Sequence, residues 1–271
     1  MGTMPAAASA IEVFAPRFYP RVWGSRDLRA WYPDRPPEAE PIGEAWLSPD
    51  GCPVLVKMLF PQEKLSVQVH PNDEYAAAHG LGRGKSEAWY VVEAAAGARL
   101  GVGLRREARW EDLGAACRAG RGAEMLDWIA VAPGDVVSIP AGTVHAIGAG
   151  VVLFEVQQPS DNTFRLDDYG RGRELHLGPG LEVARPTTAG KVAHGLQAGE
   201  SGLLLATEHF RLWRHALAAG GVLAPASEPR WLACLEGRTD IPRGQLATLR
   251  PGAAFVAPKP CVLMEIRAGT A

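Results

Sequence analysis

The sequence predicts an all-β protein made of antiparallel sheets. Short apolar runs are separated by turns rich in glycine and proline along most of the chain, which is typical of a sandwich or a barrel. The second observation is a short internal repeat: a Pro-Gly pair, a later proline and an apolar run with one glutamate. The first copy is Pro133-Gly134, Pro140 and residues 153–156, and the second is Pro251-Gly252, Pro258 and residues 263–266. The spacing from glycine to the later proline is the same in both copies. The second copy carries no histidine, so we expect a repeated fold with one working site.

The composition is that of an ordinary globular protein. The chain has 271 residues, of which 47% are hydrophobic and 21% charged, so it is long enough for one large or two modest domains. A formal net charge of −2 gives no sign of binding to nucleic acid or to an anionic membrane. The net charge is compatible with binding of a small anionic substrate, because a few lysines and arginines at one site are enough to bind it. The sequence does not decide between a monomer and a homodimer.

Cysteine usage and hydropathy predict a cytoplasmic protein. The 4 cysteines are scattered and none forms a Cys-x-x-Cys pair, which fits a reducing compartment better than a disulfide framework. No run approaches the roughly 18 apolar residues of a membrane span. Residues 1–10 are alanine-rich without a basic segment, so we expect a frayed terminus and not a signal peptide.

Taken in order, the first part of the chain alternates strands with loops. We predict a short helix over residues 73–79, capped by Asn72 or Asp73, and strands over residues 42–47, 53–60, 66–70, 88–93 and 151–157. A small helical insertion over about residues 107–130 is predicted from the helical spacing of two apolar groups: Trp110, Leu113, Ala116 and Cys117, then Met125, Trp128 and Ile129. Residues 158–173 have the composition of a polar loop.

The rest of the chain is predicted to form a second β-rich part. Residues 185–202 are rich in glycine, threonine and alanine, as a linker would be. Beyond them we predict strands over residues 203–206, 210–216, 231–235, 254–257 and 262–266. We therefore predict two domains, residues 1–180 with the working site and residues 181–271 as a degenerate copy that stabilises or shapes the first.

The most informative stretch is the Ser-Val-Gln-Val-His sequence at residues 66–70. Polar and apolar residues alternate, so Ser66, Gln68 and His70 share one face of a strand. Three side chains that can hydrogen-bond or coordinate a metal are unfavourable in an apolar core, because burying polar groups without partners costs free energy. They are well suited to lining a pocket.

A second segment supplies further candidate ligands. Residues 134–145 run strand, turn and strand and end in His145, while Glu87 lies between the two segments. If these groups converge, they form a metal site of oxygen and nitrogen ligands without thiolate, which suits Zn²⁺, Fe²⁺, Mn²⁺ or Co²⁺. Four protein ligands would close a tetrahedral site, so catalysis would require water or substrate oxygens to expand the coordination.

These motifs resemble those of a known family. Gly134-x5-Pro140-x-Gly142-x2-His145 matches the second cupin motif, which by itself names a jelly-roll superfamily with many chemistries. More specifically, blocks within residues 20–175 resemble, in order, the type I mannose-6-phosphate isomerases in their short bacterial form: Trp23-Gly24, then residues 43–46, 64–71, 84–90, 134–145 and 155–165.

The resemblance implies two cupin-type jelly-roll halves, of which only the N-terminal half carries a metal site. It implies one divalent metal, most commonly zinc, and a reaction that interconverts mannose 6-phosphate and fructose 6-phosphate through a metal-stabilised enediolate. The side chains that it assigns are the metal ligands Gln68, His70, Glu87 and His145, and the pocket residues Ser66, Lys85, Glu155 and Arg165.

The roles of the pocket residues are only partly decided by the sequence. A proton must move between C1 and C2 of the sugar, and both Lys85 and Glu155 are candidates for the shuttle. Arg165 offers a planar, permanently charged fork for a phosphate or for an enediolate oxygen. Ser66 is a candidate hydrogen-bond donor to the phosphate or the sugar. We expect catalysis by Lys85, Glu155 and Arg165, and substrate binding by Ser66, Lys85 and Arg165.

Two other classes of function stay open. An iron-dependent cupin oxygenase would use similar ligands, but usually two histidines and one carboxylate that leave three positions free. Gln68 and the cations at Lys85 and Arg165 argue against it. A non-catalytic sugar-phosphate-binding cupin would bind without turnover and tolerate loss of Lys85. The remaining histidines lie in no motif and are expected to be structural or exposed: His79, His176, His194, His209 and His215.

Overall fold

Strands dominate the fold, as the apolar runs and turns predict. The computed structural model describes residues 10–186, 191–193, 196 and 199–269. Within these residues the strands are β1 (Ile11–Phe14), β2 (Arg17–Ser25), β3 (Ile42–Trp46), β4 (Leu55–Leu59), β5 (Val67–Val69), β6 (Glu87–Ala94), β7 (Arg99–Leu104), β8 (Leu126–Ala130), β9 (Val136–Ile139), β10 (His145–Ile147), β11 (Val151–Gln157), β12 (Phe164–Asp167), β13 (Lys191–Ala193), β14 (Gly202–Ala206), β15 (Phe210–Leu217), β16 (Val222–Leu223), β17 (Arg230–Gly237), β18 (Leu246–Leu249), β19 (Phe255–Val256) and β20 (Cys261–Ala268). The α-helices are α1 (Asp73–Ala78), α2 (Leu113–Arg118) and α3 (Leu177–Val183).

The described strands form antiparallel sheets. The 5-stranded sheet has the order β12-β5-β10-β7-β8, and the 7-stranded sheet has the order β13-β9-β6-β11-β4-β3-β2. The 6-stranded sheet has the order β1-β18-β17-β20-β15-β14, and β16 pairs with β19 in a small ribbon. Neighbouring strands in each sheet run antiparallel. The protein is therefore mostly β, as predicted.

The alternation along β11 shows how one strand contributes to two cores. Leu153 packs in an apolar cluster with Ile147 of the 5-stranded sheet, whereas Phe154 packs in a second cluster with Phe210 of the 6-stranded sheet. Successive side chains of a strand point to opposite faces, so the 7-stranded sheet lies between the other two. Glu155 therefore points, with Leu153, towards the 5-stranded sheet.

The 5-stranded sheet is covered on its other face by helices. Val67 and Val69 of β5 pack in a third apolar cluster with Leu113 of α2 and Val183 of α3. Gln68 lies between the two valines and so points the opposite way, towards the 7-stranded sheet. The polar alternation of this strand thus separates a helix-covered core from a polar interior.

The N-terminal and C-terminal parts of the chain share structure. The first strand, β1, pairs with β18 near the end of the chain. The Tyr32 hydroxyl donates a buried hydrogen bond of 2.9 Å to the carbonyl of Gly244. The cluster around Phe154 and Phe210 also joins the two parts. The domain division at residue 180 stays a prediction, and the two parts that it separates pack against a common core.

The helical insertion is shorter than predicted. Helical turns cover Trp110–Asp112, α2 and Gly122–Met125, but residues 126–130 form β8 at the edge of the 5-stranded sheet. The prediction of helix at Trp128 and Ile129 is therefore wrong. An apolar run this short is compatible with the periodicity of a helix and with that of a strand. The segment forms a strand because it pairs with β7.

Two polar or glycine-rich segments contain structure that their composition did not predict. Within the predicted loop, Phe164–Asp167 forms β12 and pairs with β5. Within the predicted linker, β13 pairs with β9, while residues 187–190, 194–195 and 197–198 lie outside the described residues. The expected frayed terminus falls mostly on residues 1–9, which also lie outside them.

The other predicted strands are confirmed with small shifts at their ends. The predicted short helix is α1, and its cap is Asn72, whose side-chain oxygen accepts a hydrogen bond of 2.9 Å from the Tyr75 backbone N–H. None of the helices in the described residues is long and apolar enough to cross a membrane.

We predict that Phe210→Ala lowers the free energy of unfolding by about 3–5 kcal/mol, because this fully buried ring lies in the core shared by the two larger sheets. Val222→Ala is the control, since Val222 is 57% exposed and its truncation should cost within about 0.5 kcal/mol. Chemical denaturation measures both. A Phe210→Ala protein as stable as the control would contradict the shared core.

Candidate metal and substrate site

The register of the strands brings the predicted ligands together from two sheets. In the 5-stranded sheet, Gln68 of β5 lies opposite His145 of β10 on one side and opposite Arg165 of β12 on the other. In the 7-stranded sheet, Glu87 begins β6 and lies opposite Gln157 of β11. Because the two sheets face each other, these side chains meet in the space between them.

His70, Glu87 and His145 form a compact buried group. The Glu87 carboxylate oxygens lie 3.4 Å from His70 Nε2 and 3.4 Å from His145 Nε2. Taking one ligand atom from each side chain, all three atoms lie within 4.8 Å of one another. All three residues are buried. Three of the four predicted ligands therefore sit close enough to hold one metal ion.

Both imidazoles are oriented by backbone carbonyls. His70 Nδ1–H donates to the carbonyl of Asn162 at 2.9 Å, and His145 Nδ1–H donates to the carbonyl of Thr143 at 2.8 Å. A carbonyl can only accept, so the proton lies on Nδ1 and each Nε2 presents its lone pair. Burial lowers the pKa of His70 to about 3 and also lowers that of His145. Neutral imidazoles held in this way are the usual form of histidine metal ligands.

The facing atoms of the group lack hydrogen-bond partners among the described residues. His70 Nε2 and both carboxylate oxygens of Glu87 are buried and accept no hydrogen bond, although Lys85 Nζ lies 3.1 Å from Glu87. Burial raises the pKa of Glu87, but the Lys85 ammonium beside it holds the pKa well below its usual value, so the carboxylate is charged. Unsatisfied lone pairs around a buried anion are what a divalent cation would satisfy.

Gln68 lies against the same group. Its side-chain nitrogen is 3.2 Å from His145 Nε2, where it can donate to the imidazole lone pair. A half-turn of the amide would aim the oxygen at the same point, and the assignment of oxygen and nitrogen follows only from the hydrogen-bond network. Gln68 is thus positioned to be the fourth ligand.

A cavity of about 360 Å³ opens beside the group. It is lined by all of the predicted pocket residues and by Gln68: Ser66, Gln68, Lys85, Glu155 and Arg165. Five further charged side chains, which the motifs did not indicate as pocket residues, also line it: Arg21, Glu44, Lys57, Asp161 and Arg173. Cations outnumber carboxylates on this wall, so the cavity suits an anionic ligand.

Glu155 is a buried acid on the wall of this cavity. It accepts a hydrogen bond of 2.9 Å from the Trp89 indole and lies 3.4 Å from Lys57 Nζ. These neighbours follow from the register, since both face Glu155 across the ladders of β11. Burial, with the charge of Glu87, raises the pKa of Glu155 to about 7, although Lys57 and Lys85 oppose the rise.

Lys57 is the most deeply buried of the residues that sequence reasoning missed. It is 2% exposed, lies 3.6 Å from Asp161, and its ammonium sits 4.8 Å from the centre of the Trp46 ring. The available signal was a single charge within the apolar run at residues 53–60. Asp161, which lies within the polar loop predicted over residues 158–173, lines the cavity with it.

Arg165 lies at the mouth of the cavity among other guanidinium groups. Its Nη1 donates to the carbonyl of Glu174 at 2.7 Å, and burial, together with nearby Arg173, lowers its pKa. Asp168 is paired with Arg173 at 2.8 Å and with Arg171 at 2.9 Å. Arg165 and Arg173 therefore add positive charge to the lining of the cavity.

We predict that Glu155 makes the metal-free protein less stable as pH rises from about 4.5 to about 7. Its folded-state pKa of about 7 exceeds its ordinary value of 4.5, so the folded state binds more protons across this range and loses stability as they leave. Relative to Glu155→Gln, the wild-type free energy of unfolding should fall by about 3 kcal/mol. Urea titrations at several pH values measure this. A difference that does not change with pH would contradict the raised pKa.

Comparison with known proteins adds independent information. No family model matches the chain. A mannose-6-phosphate isomerase of Bacillus subtilis (strain 168) is 44% identical over 144 residues, which are 51% of this chain and 45% of that protein. The chain thus matches about half of the length of this relative. A mannose-6-phosphate isomerase of Streptococcus mutans is 34% identical over 218 residues, covering 76% of this chain and 68% of that protein.

Solved structures give the same fold. The mannose 6-phosphate isomerase from Bacillus subtilis superposes with a TM-score of 0.80 at 23% identity, over 96% of this chain and 100% of that chain. A protein of Archaeoglobus fulgidus described as a putative mannosephosphate isomerase gives a TM-score of 0.75 at 17% identity, over 96% and 98%. With the identity and coverage of the Streptococcus relative, we conclude that the chain belongs to the mannose-6-phosphate isomerase family.

Proposed function

We propose that this protein is a metal-dependent aldose-ketose isomerase that interconverts mannose 6-phosphate and fructose 6-phosphate. The observation that carries the proposal is the buried His70–Glu87–His145 group beside a cavity rich in cations. The names of the relatives support the same activity.

The proposed metal ligands are Gln68, His70, Glu87 and His145, and the proposed metal is zinc. The oriented, neutral imidazoles and the unsatisfied Glu87 oxygens support this assignment. A solved structure of the same fold, with a TM-score of 0.69, is described as mannose 6-phosphate isomerase bound with zinc and yttrium. A bound divalent ion would supply Lewis acidity, which lowers the cost of negative charge on a substrate oxygen.

The cavity supports a phosphosugar as the substrate. Its volume of about 360 Å³ lies at the small end of the range for ligand pockets. Arg165 and Arg173 carry permanent charge near its mouth and suit the phosphate or a developing oxyanion. Ser66 offers a hydroxyl on the same wall. The sugar would then extend inwards, with C1 and C2 towards the histidines.

We assign the proton transfer to Glu155. A carboxylate oxygen of Glu155 takes the proton from C2 and returns it to C1, while the hydroxyl proton on O2 passes to O1. A pKa of about 7 suits both transfers at carbon near neutral pH. Lys85 is the less suited base. Burial lowers its pKa, but Glu87 and Glu155 raise it above the usual value, so the amine stays protonated. Lys85 instead holds positive charge beside the reacting oxygens.

The finer features of the fold and setting are also proposals. We propose that the 5-stranded sheet and the 7-stranded sheet without its edge strand β13 form one cupin-type half within residues 1–180, and that residues 181–271, which supply β13, are a degenerate half. The two inner faces that enclose the site, and the C-terminal copy of the internal repeat at Glu265, support this division. A cytoplasmic location and the absence of nucleic-acid and membrane partners stay predictions.

Arg165→Ala should lower kcat/KM by at least about 10²-fold, because the variant loses a charged contact to the phosphate or the developing oxyanion. Arg250→Ala is the matched control, since Arg250 is exposed in a turn of the C-terminal part. Steady-state kinetics with mannose 6-phosphate measure both. Near-normal activity of Arg165→Ala would remove this residue from the site.

The activity itself is tested by following mannose 6-phosphate by NMR. We expect conversion to fructose 6-phosphate. A chelator should abolish it by removing the metal from the proposed site at Glu87, and added Zn²⁺ should restore it by refilling that site. Saturable binding of the sugar phosphate without conversion by the zinc-loaded protein would indicate the binding module instead. Uptake of O₂ by the ferrous protein would indicate the oxygenase.

A further inference from the structure

We propose that Asn162 is a positioning residue, which fixes the orientation of His70 and at the same time holds the loop that carries Lys85 and Glu87. This inference rests on the proposed metal site. Asn162 lies in the chain segment between β11 and β12 and does not line the cavity. Its contacts, rather than any contact with substrate, connect it to the site.

The backbone of Asn162 orients the histidine. Its carbonyl accepts the 2.9 Å hydrogen bond from His70 Nδ1, which leaves His70 Nε2 facing Glu87. The two residues flank paired strands, since Phe164 of β12 lies opposite Val69 of β5. The position of this carbonyl therefore determines where the His70 lone pair points.

The side chain of Asn162 holds a different segment. Its amide nitrogen donates to the carbonyl of Leu81 at 2.9 Å and to the carbonyl of Arg83 at 2.7 Å. These carbonyls belong to the loop between α1 and β6, which leads directly to Lys85 and Glu87. An amide has two N–H donors on one nitrogen, whereas a carboxylate has none. Asparagine is therefore chemically suited to bridge both carbonyls.

The loop is held partly by the helix before it, since the Leu81 N–H donates to the Ala76 carbonyl at 2.8 Å and the Gly84 N–H donates to Asp73 Oδ1 at 2.8 Å. Its residues 79–83 are exposed, and Gly80 and Gly82 adopt positive φ angles of 68° and 81°, so burial contributes little to its position. Hydrogen bonds from the segment that contains Asn162 fix its other side. Ser160 Oγ donates to the Arg83 carbonyl at 3.0 Å, and the Gln158 side-chain oxygen accepts from the Ser86 N–H at 2.8 Å.

Asn162 is the point at which the two supports meet. The backbone carbonyl of Asn162 orients His70, a proposed ligand beside the 5-stranded sheet. Its side-chain amide holds the loop that leads to Glu87, a proposed ligand in the 7-stranded sheet. Loss of the Asn162 side-chain amide would release the loop before Lys85 and Glu87, and would also make the position of the Asn162 carbonyl less fixed. Outer groups that orient metal ligands typically contribute about 10–100-fold to metal affinity.

The test measures zinc affinity by competition with a chromophoric chelator, in the absence of substrate. We expect Asn162→Ala and Asn162→Asp to weaken zinc binding by about 10–100-fold. Asn72→Ala is the matched control, because it makes the same chemical change at the cap of α1 without touching His70 or the loop carbonyls. Its zinc affinity should stay within about twofold of wild type. Thermal unfolding of the metal-free proteins shows whether general destabilisation explains the difference.

Asn162 variants with zinc affinity equal to that of Asn72→Ala would overturn the proposal. If these variants fail to fold, Ser160→Ala removes the hydrogen bond to the Arg83 carbonyl and the one that Ser160 Oγ accepts from the Asn162 N–H at 3.3 Å. It should weaken zinc binding by at least about threefold, as a fraction of the full effect. Wild-type affinity in that variant would then overturn it. Failure of the wild-type protein to bind zinc would instead refute the proposed metal site.

Discussion

The arrangement of the site follows from one buried negative charge. Glu87 is 2% exposed and its carboxylate oxygens accept no hydrogen bond in the described structure. A buried charge is tolerated only when an opposite charge or a metal ion compensates it. Lys85 provides one positive charge at 3.1 Å, and the lone pairs of His70 and His145 turn towards the carboxylate in a geometry that a divalent cation completes. We therefore regard this buried group, the proposed metal site, as the feature on which the other polar contacts depend.

The sheets explain how such a polar group can exist inside a β protein. Each strand that contributes to the site gives its alternate side chains to a dry core on the other face: Phe154 and Val156 flank Glu155, and Val67 and Val69 flank Gln68. The free energy of unfolding is supplied by these outer clusters, so the space between the sheets can carry charge. The same division explains why Lys57 and Glu155 face each other with so little exposure to water.

The sequence brought His70, Glu87 and His145 forward as candidate ligands, which the fold places together, because they lie in or beside locally regular segments. Alternation placed Gln68 and His70 on one face, and the Gly/Pro turn placed His145 after it. However, the pattern of residues within one strand does not determine which residues of the neighbouring strand lie opposite them. The pairing of Lys57 with Glu155 and the contacts of Asn162 could therefore not be predicted. β12 was missed because its inward side chain, Arg165, is polar, which made the segment resemble a loop. Trp128 and Ile129 were assigned to a helix because a short apolar run carries no reliable period.

The most direct test of the metal site is X-ray diffraction at the zinc absorption edge, from crystals grown with Zn²⁺. Our account predicts one anomalous peak between His70 Nε2, the Glu87 carboxylate and His145 Nε2, with the Gln68 side-chain oxygen turned towards it. Ligand distances should be about 2.0–2.2 Å. A peak at other residues, or none at this group in zinc-saturated crystals, would contradict the account.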